Sequence, residues 1–217
     1  MKEIGRRSAL KLLGGAPLAV GFGLSAAEAQ VAHEHAAKAV KAAAKGKAYK
    51  PRFFNAHEWE TVRVMVDLII PRDERSGSAT DAGVPEFMDF IMTDPMEDDR
   101  GRERRQTSMR GGLAWIDVEC RKRFGKTLVE CNDVERRTLL DDIAYSKAED
   151  DEEIPDPRDL RVRLRHGPSF FNSFRDLTAT GFWTSKMGIE DLGYVGNTAF
   201  AWEGPPAEVL RKLGLEV

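Results

Sequence analysis

Apolar side chains recur at helical spacing along most of the chain beyond residue 53. After Asn55 they line one helix face, at Trp59, Val62, Val66, Ile69 and Ile70. A second stripe, within residues 98–124, consists of Met109, Leu113, Ile116, Cys120 and Phe124. No stretch alternates apolar and polar residues as a half-buried strand does. The pattern predicts an all-α protein, a small irregular helical bundle with an aromatic, Gly-rich C-terminal tail.

Local signals place the ends of these helices. Asn55 with Glu58, and Asn132 with Glu135, form the Asn-x-x-Glu pattern of a capping box at two helix starts. Gly125 is a stop signal after the long helix. A further helix carries several aromatic residues and is expected to end at Gly181. Its apolar positions are Phe170, Phe171, Phe174 and Leu177.

The segment from residue 182 to residue 204 combines glycines with large aromatic side chains, and irregular backbone is expected there. The candidate partner-contact residues are Phe182, Trp183, Tyr194, Asn197 and Trp202. One interpretation is that these rings fold back over the helical core. The other is a rigid aromatic contact surface, because Trp and Tyr carry much of the binding energy at interfaces. The two interpretations are compatible.

The N-terminus has the layout of an export signal. Residues 12–24 are weakly hydrophobic, diluted by glycines and too short for a membrane span, which needs about 20 apolar residues. The charged and apolar residues before them are Arg6, Arg7, Leu10 and Lys11. This arrangement resembles a twin-arginine signal peptide, although Ala9 stands where an aromatic residue is common. Such a signal sends a folded protein out of the cytoplasm; an ordinary secretory signal is the alternative.

The chain is expected to divide into three parts. Ala27 and Ala29 form an A-x-A site that places cleavage before Gln30, so residues 1–29 are the signal peptide. Residues 30–52 are rich in Ala and Lys and are interpreted as a flexible tether with little to bury. Residues 53–217 form the helical domain.

Charge and cysteine content limit the kinds of partner and bridge that the chain can have. Without residues 1–29 the chain keeps 29 basic and 34 acidic side chains, a net charge of −5, which argues against nucleic acid as a partner. Two cysteines, Cys120 and Cys131, would enter an oxidising compartment. They are candidates for a bridge to each other, for a bridge to a partner chain, or for free thiols.

The chain shows no catalytic signature. It contains no dinucleotide-binding or phosphate-binding Gly-rich loop, no haem-attachment motif and no iron–sulfur spacing. His57 lies beside a helix cap and His166 in a loop, and neither has an identifiable second catalytic group. We therefore expect no catalytic, cofactor-binding or metal-ligating residue in this chain.

Blocks at both ends of the helical domain resemble the gluconate 2-dehydrogenase subunit 3 family. The first blocks are Phe53-Phe54, Glu58, Asp67–Pro71, Asp81–Val84 and Phe87–Asp89. The last are Gly181–Ser185, Gly193–Asn197 and Trp202–Pro206. The resemblance runs from about residue 53 to residue 215, and the order of the blocks is more specific than any one of them.

The resemblance implies the small, non-catalytic subunit of a periplasmic, membrane-associated dehydrogenase. Its expected partners are a large FAD-containing subunit of the glucose–methanol–choline type and a cytochrome subunit with haem c. The small subunit would help the large one mature and carry it through the twin-arginine translocon. Gluconate, another sugar acid, a sugar or another alcohol all remain open as substrates.

Two other functions are compatible with the residues. A stand-alone periplasmic helical module could bind a ligand in a pocket lined by the aromatic tail. An enzyme using His57 or His166 is the weaker alternative, because each histidine lacks a second catalytic group.

Overall fold

Eight helices and no strand occur in the residues that the computed structural model describes, which are 26–43, 45–93, 99–144, 166–193, 204–205 and 207–214. The helices are α1 (Ala26–Ala43), α2 (Ala56–Ile69), α3 (Val84–Met92), α4 (Asp99–Phe124), α5 (Asp133–Ala144), α6 (Gly167–Trp183), α7 (Lys186–Leu192) and α8 (Ala207–Lys212). The all-α prediction is confirmed. No helix within these ranges has the length and hydropathy of a membrane span.

Both predicted capping boxes are present. The Asn55 side chain accepts a hydrogen bond from the backbone N–H of Glu58 at 2.9 Å, and the Glu58 carboxylate accepts one from the Asn55 N–H at 2.9 Å. Asn132 and Glu135 make the same reciprocal pair at the start of α5. These bonds satisfy N–H groups that have no partner inside the helix. Gly125, with a left-handed φ of 73°, ends α4 as expected.

The aromatic helix α6 is the centre of the bundle, since it contacts each of the six helices from α1 to α5 and α7. Its buried large side chains are Phe170, Phe171, Phe174, Leu177 and Phe182. The helix runs two residues past its expected end at Gly181. Gly181 lies inside the helix because α3 approaches closely there. A Cβ at this position would lie 3.0 Å from the Phe87 ring.

A second close approach joins α6 to α4. Gly112 is buried on α4 directly under the Phe170 ring, and a Cβ there would lie 1.9 Å from a ring carbon. Its neighbour Gly111 is exposed, and a Cβ there would meet nothing within 4 Å. The absence of a side chain at Gly112 therefore sets the distance between α4 and α6.

Helix α1 differs from the expected tether. Ala32 and Ala36 are fully or almost fully buried, at 0% and 1% exposure, on a face that packs mainly against α3. The small side chains let the two backbones approach, so that a Cβ at Gly83 would lie 2.9 Å from a Val40 methyl group. The alanine face of α1 is thus buried because the two helices lie close together. A pattern of large apolar side chains does not reveal such a face.

A buried carboxylate holds the segment that joins α1 to α2. Asp89 on α3 has no exposed surface. Its Oδ1 accepts hydrogen bonds from the N–H groups of Phe53 at 3.0 Å and Phe54 at 3.2 Å. Its Oδ2 accepts bonds from the Arg52 N–H at 2.9 Å and the Tyr49 hydroxyl at 2.8 Å. A buried carboxylate is tolerated only when it is hydrogen-bonded in this way.

Changing each of the paired glycines of α4 to alanine tests this packing. Gly112→Ala should lower the free energy of unfolding by about 1–3 kcal/mol, because the new methyl group overlaps the Phe170 ring. Gly111→Ala should raise it by up to about 1 kcal/mol, because alanine favours an exposed helix position. Denaturant unfolding of both variants measures the difference. Equal effects at the two positions would contradict the close approach of α4 and α6.

Candidate functional site

Of the two candidate partner residues at the end of α6, one is buried in the core and the other is partly exposed. Phe182 has 0% exposure and packs edge-on against Trp183, with ring centroids 4.9 Å apart. The expectation that Phe182 contacts a partner is therefore wrong, because its ring is enclosed by the bundle. Trp183 is half-buried and keeps part of its surface accessible. Tyr194, Asn197 and Trp202 lie outside the described residues.

The backbone after Trp183 turns sharply into α7, where irregular structure was expected. The Ser185 hydroxyl accepts a hydrogen bond from the Gly188 N–H at 3.1 Å and donates one to the Phe182 carbonyl at 2.6 Å. A Cβ at Gly188 would lie 2.0 Å from that same carbonyl oxygen. The turn therefore requires glycine at position 188 and fixes α7 rigidly against the end of α6.

Helix α7 presents apolar side chains to solvent. Ile189 and Leu192, three residues apart on one helix face, are 40% and 46% exposed. A contact between Arg75 Nε and Asp191 Oδ1, at 3.2 Å, ties the helix to the loop that precedes α3. Arg75 also donates a hydrogen bond to the Asp191 carbonyl. We call the exposed side chains Ile189 and Leu192 the α7 surface.

A shallow cleft of about 330 Å³ lies beside the α7 surface. Its described lining residues are Arg75, Ser76, Gly77, Met187, Glu190 and Asp191. This lining is mainly polar and charged, and Arg75 and Asp191 are already paired with each other across it. The aromatic pocket expected for a ligand-binding module does not correspond to this cleft.

His57 has a partner that the sequence did not reveal. Its Nε2 contacts Oδ2 of Asp117, which is buried on α4, whereas the His57 ring is 48% exposed. The other oxygen of Asp117 accepts a hydrogen bond from the Leu128 N–H at 3.0 Å. The carboxylate thus connects α2, α4 and the loop before α5, and this contact network stabilises the fold. His166 lies exposed immediately before α6.

The two histidines of α1 pack into the bundle. The His33 ring stacks on Phe87 with centroids 4.7 Å apart, and its Nε2 contacts the Thr184 hydroxyl. His35 packs against Phe90 at 4.9 Å. Burial lowers the pKa of His33 to about 4, so the docked ring is neutral at neutral pH. In the part of the chain that the structure describes, no cluster of three or more His, Cys, Asp or Glu side chains is arranged to hold a metal ion.

Sequence signals for these contacts exist, but they are weak. Asp117 falls on the buried stripe of α4, one residue after Ile116, and Asp89 interrupts the apolar run of α3. A lone carboxylate in an apolar stripe indicates a buried hydrogen-bonding role. The alanines of α1 recur at three- and four-residue spacing, which is the pattern of a packed face with small side chains.

Docking of α1 should weaken in acid. The pKa of His33 is lowered from 6.5 to about 4 by burial, and that of His35 is lowered by burial and by Arg52 and Lys38, against an opposing effect of Asp89. The docked state of α1 binds fewer protons than the undocked helix. The free energy of docking is therefore most favourable above pH 6.5 and weakens as the pH falls towards 4.

Hydrogen-exchange protection factors of the α1 amides should therefore decrease over this range while α6 stays protected. The variant His33→Phe keeps an aromatic ring on Phe87 but cannot titrate. Its loss of protection should move to more acidic pH. Protection of α1 that is independent of pH in the unmodified chain would contradict the account.

Comparison with known families identifies one family whose model matches the chain. The family model for gluconate 2-dehydrogenase subunit 3 matches residues 56–204, from the start of α2 to beyond the α7 surface. No curated protein and no solved structure matches the chain. Helix α1 precedes the matched region, so its docking on α3 is a feature outside the family model. The match covers well over half of the chain, and the chain belongs to the gluconate 2-dehydrogenase subunit 3 family.

Proposed function

We propose that this chain is the non-catalytic small subunit that helps a large FAD-containing dehydrogenase subunit to mature and accompanies it to the periplasm. The large subunit would be of the glucose–methanol–choline type and would oxidise a sugar, a sugar acid or another alcohol. A cytochrome subunit with haem c would receive the electrons, and the complex would be associated with the membrane. The family match over residues 56–204 is the observation that carries the proposal.

Family membership makes the chain an accessory subunit of a multi-subunit dehydrogenase complex. The side-chain chemistry of the described residues is consistent with that role. The buried carboxylates Asp89 and Asp117 both accept backbone N–H groups, and they hold segments of the fold together. The contacts of His57 and His33 likewise join one helix to another.

The α7 surface is the proposed contact with the large subunit. Apolar side chains that are held rigidly lose little conformational entropy on binding, and α7 is fixed by Ser185, Gly188 and Arg75. Tyr194 follows Gly193 directly in the sequence, and the candidate residues Tyr194, Asn197 and Trp202 all come after α7 along the chain.

Helix α1 supports the proposed export role. The predicted cleavage site, before Gln30, falls in the first half of α1, and the docking residues Ala32, His33 and Ala36 follow it. The signal peptide of the precursor would therefore lead directly into a helix that is packed on the family domain. A partner bound to that domain would travel with the signal without carrying one itself.

Affinity purification of the chain from its native host tests the pairing. The unmodified chain should retain a large subunit that shows flavin absorbance. The double variant Ile189→Glu, Leu192→Glu should retain at least about tenfold less, because two carboxylates would have to be desolvated in an apolar contact.

The matched control is the double variant Val118→Glu, Val134→Glu, which places the same charges at 44% and 74% exposed positions on α4 and α5. It should retain the partner normally. Equal retention by both double variants would place the interface elsewhere. An unmodified chain recovered intact as a colourless monomer would contradict the subunit assignment.

A further inference from the structure

The loop between α4 and α5 folds Cys131 back onto Cys120. Gly125 ends α4 in the left-handed conformation, and the Cys131 N–H donates a hydrogen bond to the Thr127 carbonyl at 3.1 Å. Cys131 thereby lies immediately before the cap of α5, and its free thiol is buried in the same core cluster as the free thiol of Cys120, with which it interacts. The two sulfur atoms are thus neighbours in the folded chain.

Bonds from other residues fix this arrangement. The Leu128 N–H donates to Asp117 Oδ1 at 3.0 Å. Arg136 donates from Nε to the Leu128 carbonyl at 3.0 Å and from Nη2 to the Val129 carbonyl at 2.6 Å. Leu128 itself is fully buried under the loop. The position of the two free thiols therefore does not depend on a bond between them.

Burial distinguishes between the possible pairings. Cys120 and Cys131 are 0% and 3% exposed, so neither sulfur is accessible to a cysteine of another chain. Burial also raises the pKa of the Cys120 thiol to about 12. Since the thiolate is the reactive form, exchange takes place while the loop is open or before it has closed.

We infer that Cys120 and Cys131 are joined by an intramolecular disulfide once the protein reaches an oxidising compartment. The oxidant is a protein disulfide of the dithiol-exchange class. One thiolate attacks the donor disulfide to give a mixed disulfide, and the second cysteine sulfur displaces the donor sulfur. The pair loses two protons and two electrons, and the donor leaves as a dithiol.

The bridge locks the loop that Asp117 and Arg136 already position. By restricting the unfolded chain, it stabilises the fold against opening between α4 and α5. Once it has formed, the burial that shields the thiols also shields the bridge from reductants. Reduction of the native protein should therefore need partial unfolding.

Peptide mapping of the full-length chain tests the inference. The chain is refolded from denaturant in a glutathione redox buffer, alkylated and digested with trypsin without reduction. Cleavage at the flanking Arg and Lys residues should release peptides 111–121 and 127–136 as one linked species. Two alkylated cysteines, or a glutathione adduct on either, would overturn the inference. Refolding is done outside the cell, so the result is independent of the proposed partner and export route.

Melting temperatures provide a second readout. Under non-reducing conditions Cys120→Ala, Cys131→Ala and the double variant should each melt on the order of 5–10 °C below the unmodified chain. A shared bond is lost in all three variants, so the effects of the single changes should not add. Additive effects that are the same with and without reductant would overturn the inference.

Discussion

The buried carboxylate of Asp89 is the constraint on which the arrangement of the N-terminal half depends. It has no exposed surface and accepts three consecutive backbone N–H groups and a tyrosine hydroxyl. Losing those donors would leave an unpaired charge in the core, at a cost of several kcal/mol. The segment from Tyr49 to Phe54 is therefore held at one place on α3, and α1 and α2 diverge from it. Burial, together with the contact to Asp89, raises the pKa of the Tyr49 hydroxyl, which stays protonated as a donor.

Close contacts between helices at glycine positions set the packing of the rest of the bundle. Gly112 and Gly181 let α6 approach α4 and α3, and Gly188 lets the chain turn directly into α7. The rigid end of α6 and the exposed residues of α7 are thus direct consequences of core packing. A surface built in this way needs no ligand to become ordered, and this suits a subunit whose role is to bind another protein.

The sequence predicted most of the helices, because their signals are local. The capping boxes at Asn55 and Asn132 and the stripe of α4 depend only on neighbouring residues, and the structure contains all of them. The sequence did not predict the docking of α1. Alanines bury their surface only when another helix lies very close, and that depends on the position of α3. The position of Phe182, in the core or on the surface, was left open for a related reason. Whether an aromatic ring at the end of a helix is buried depends on the helices packed around it. Its position in the sequence pattern does not determine this.

We propose that one signal peptide serves two proteins, and the location of the proposed large subunit in cells tests this most directly. Replacing Arg6 and Arg7 with lysine keeps the positive charge but removes the twin-arginine pair. We expect the large subunit and its flavin-dependent dehydrogenase activity then to remain in the cytoplasm together with this chain, whereas Arg63→Lys with Arg137→Lys should leave both in the periplasm. A large subunit that still reaches the periplasm while this chain is retained would contradict it.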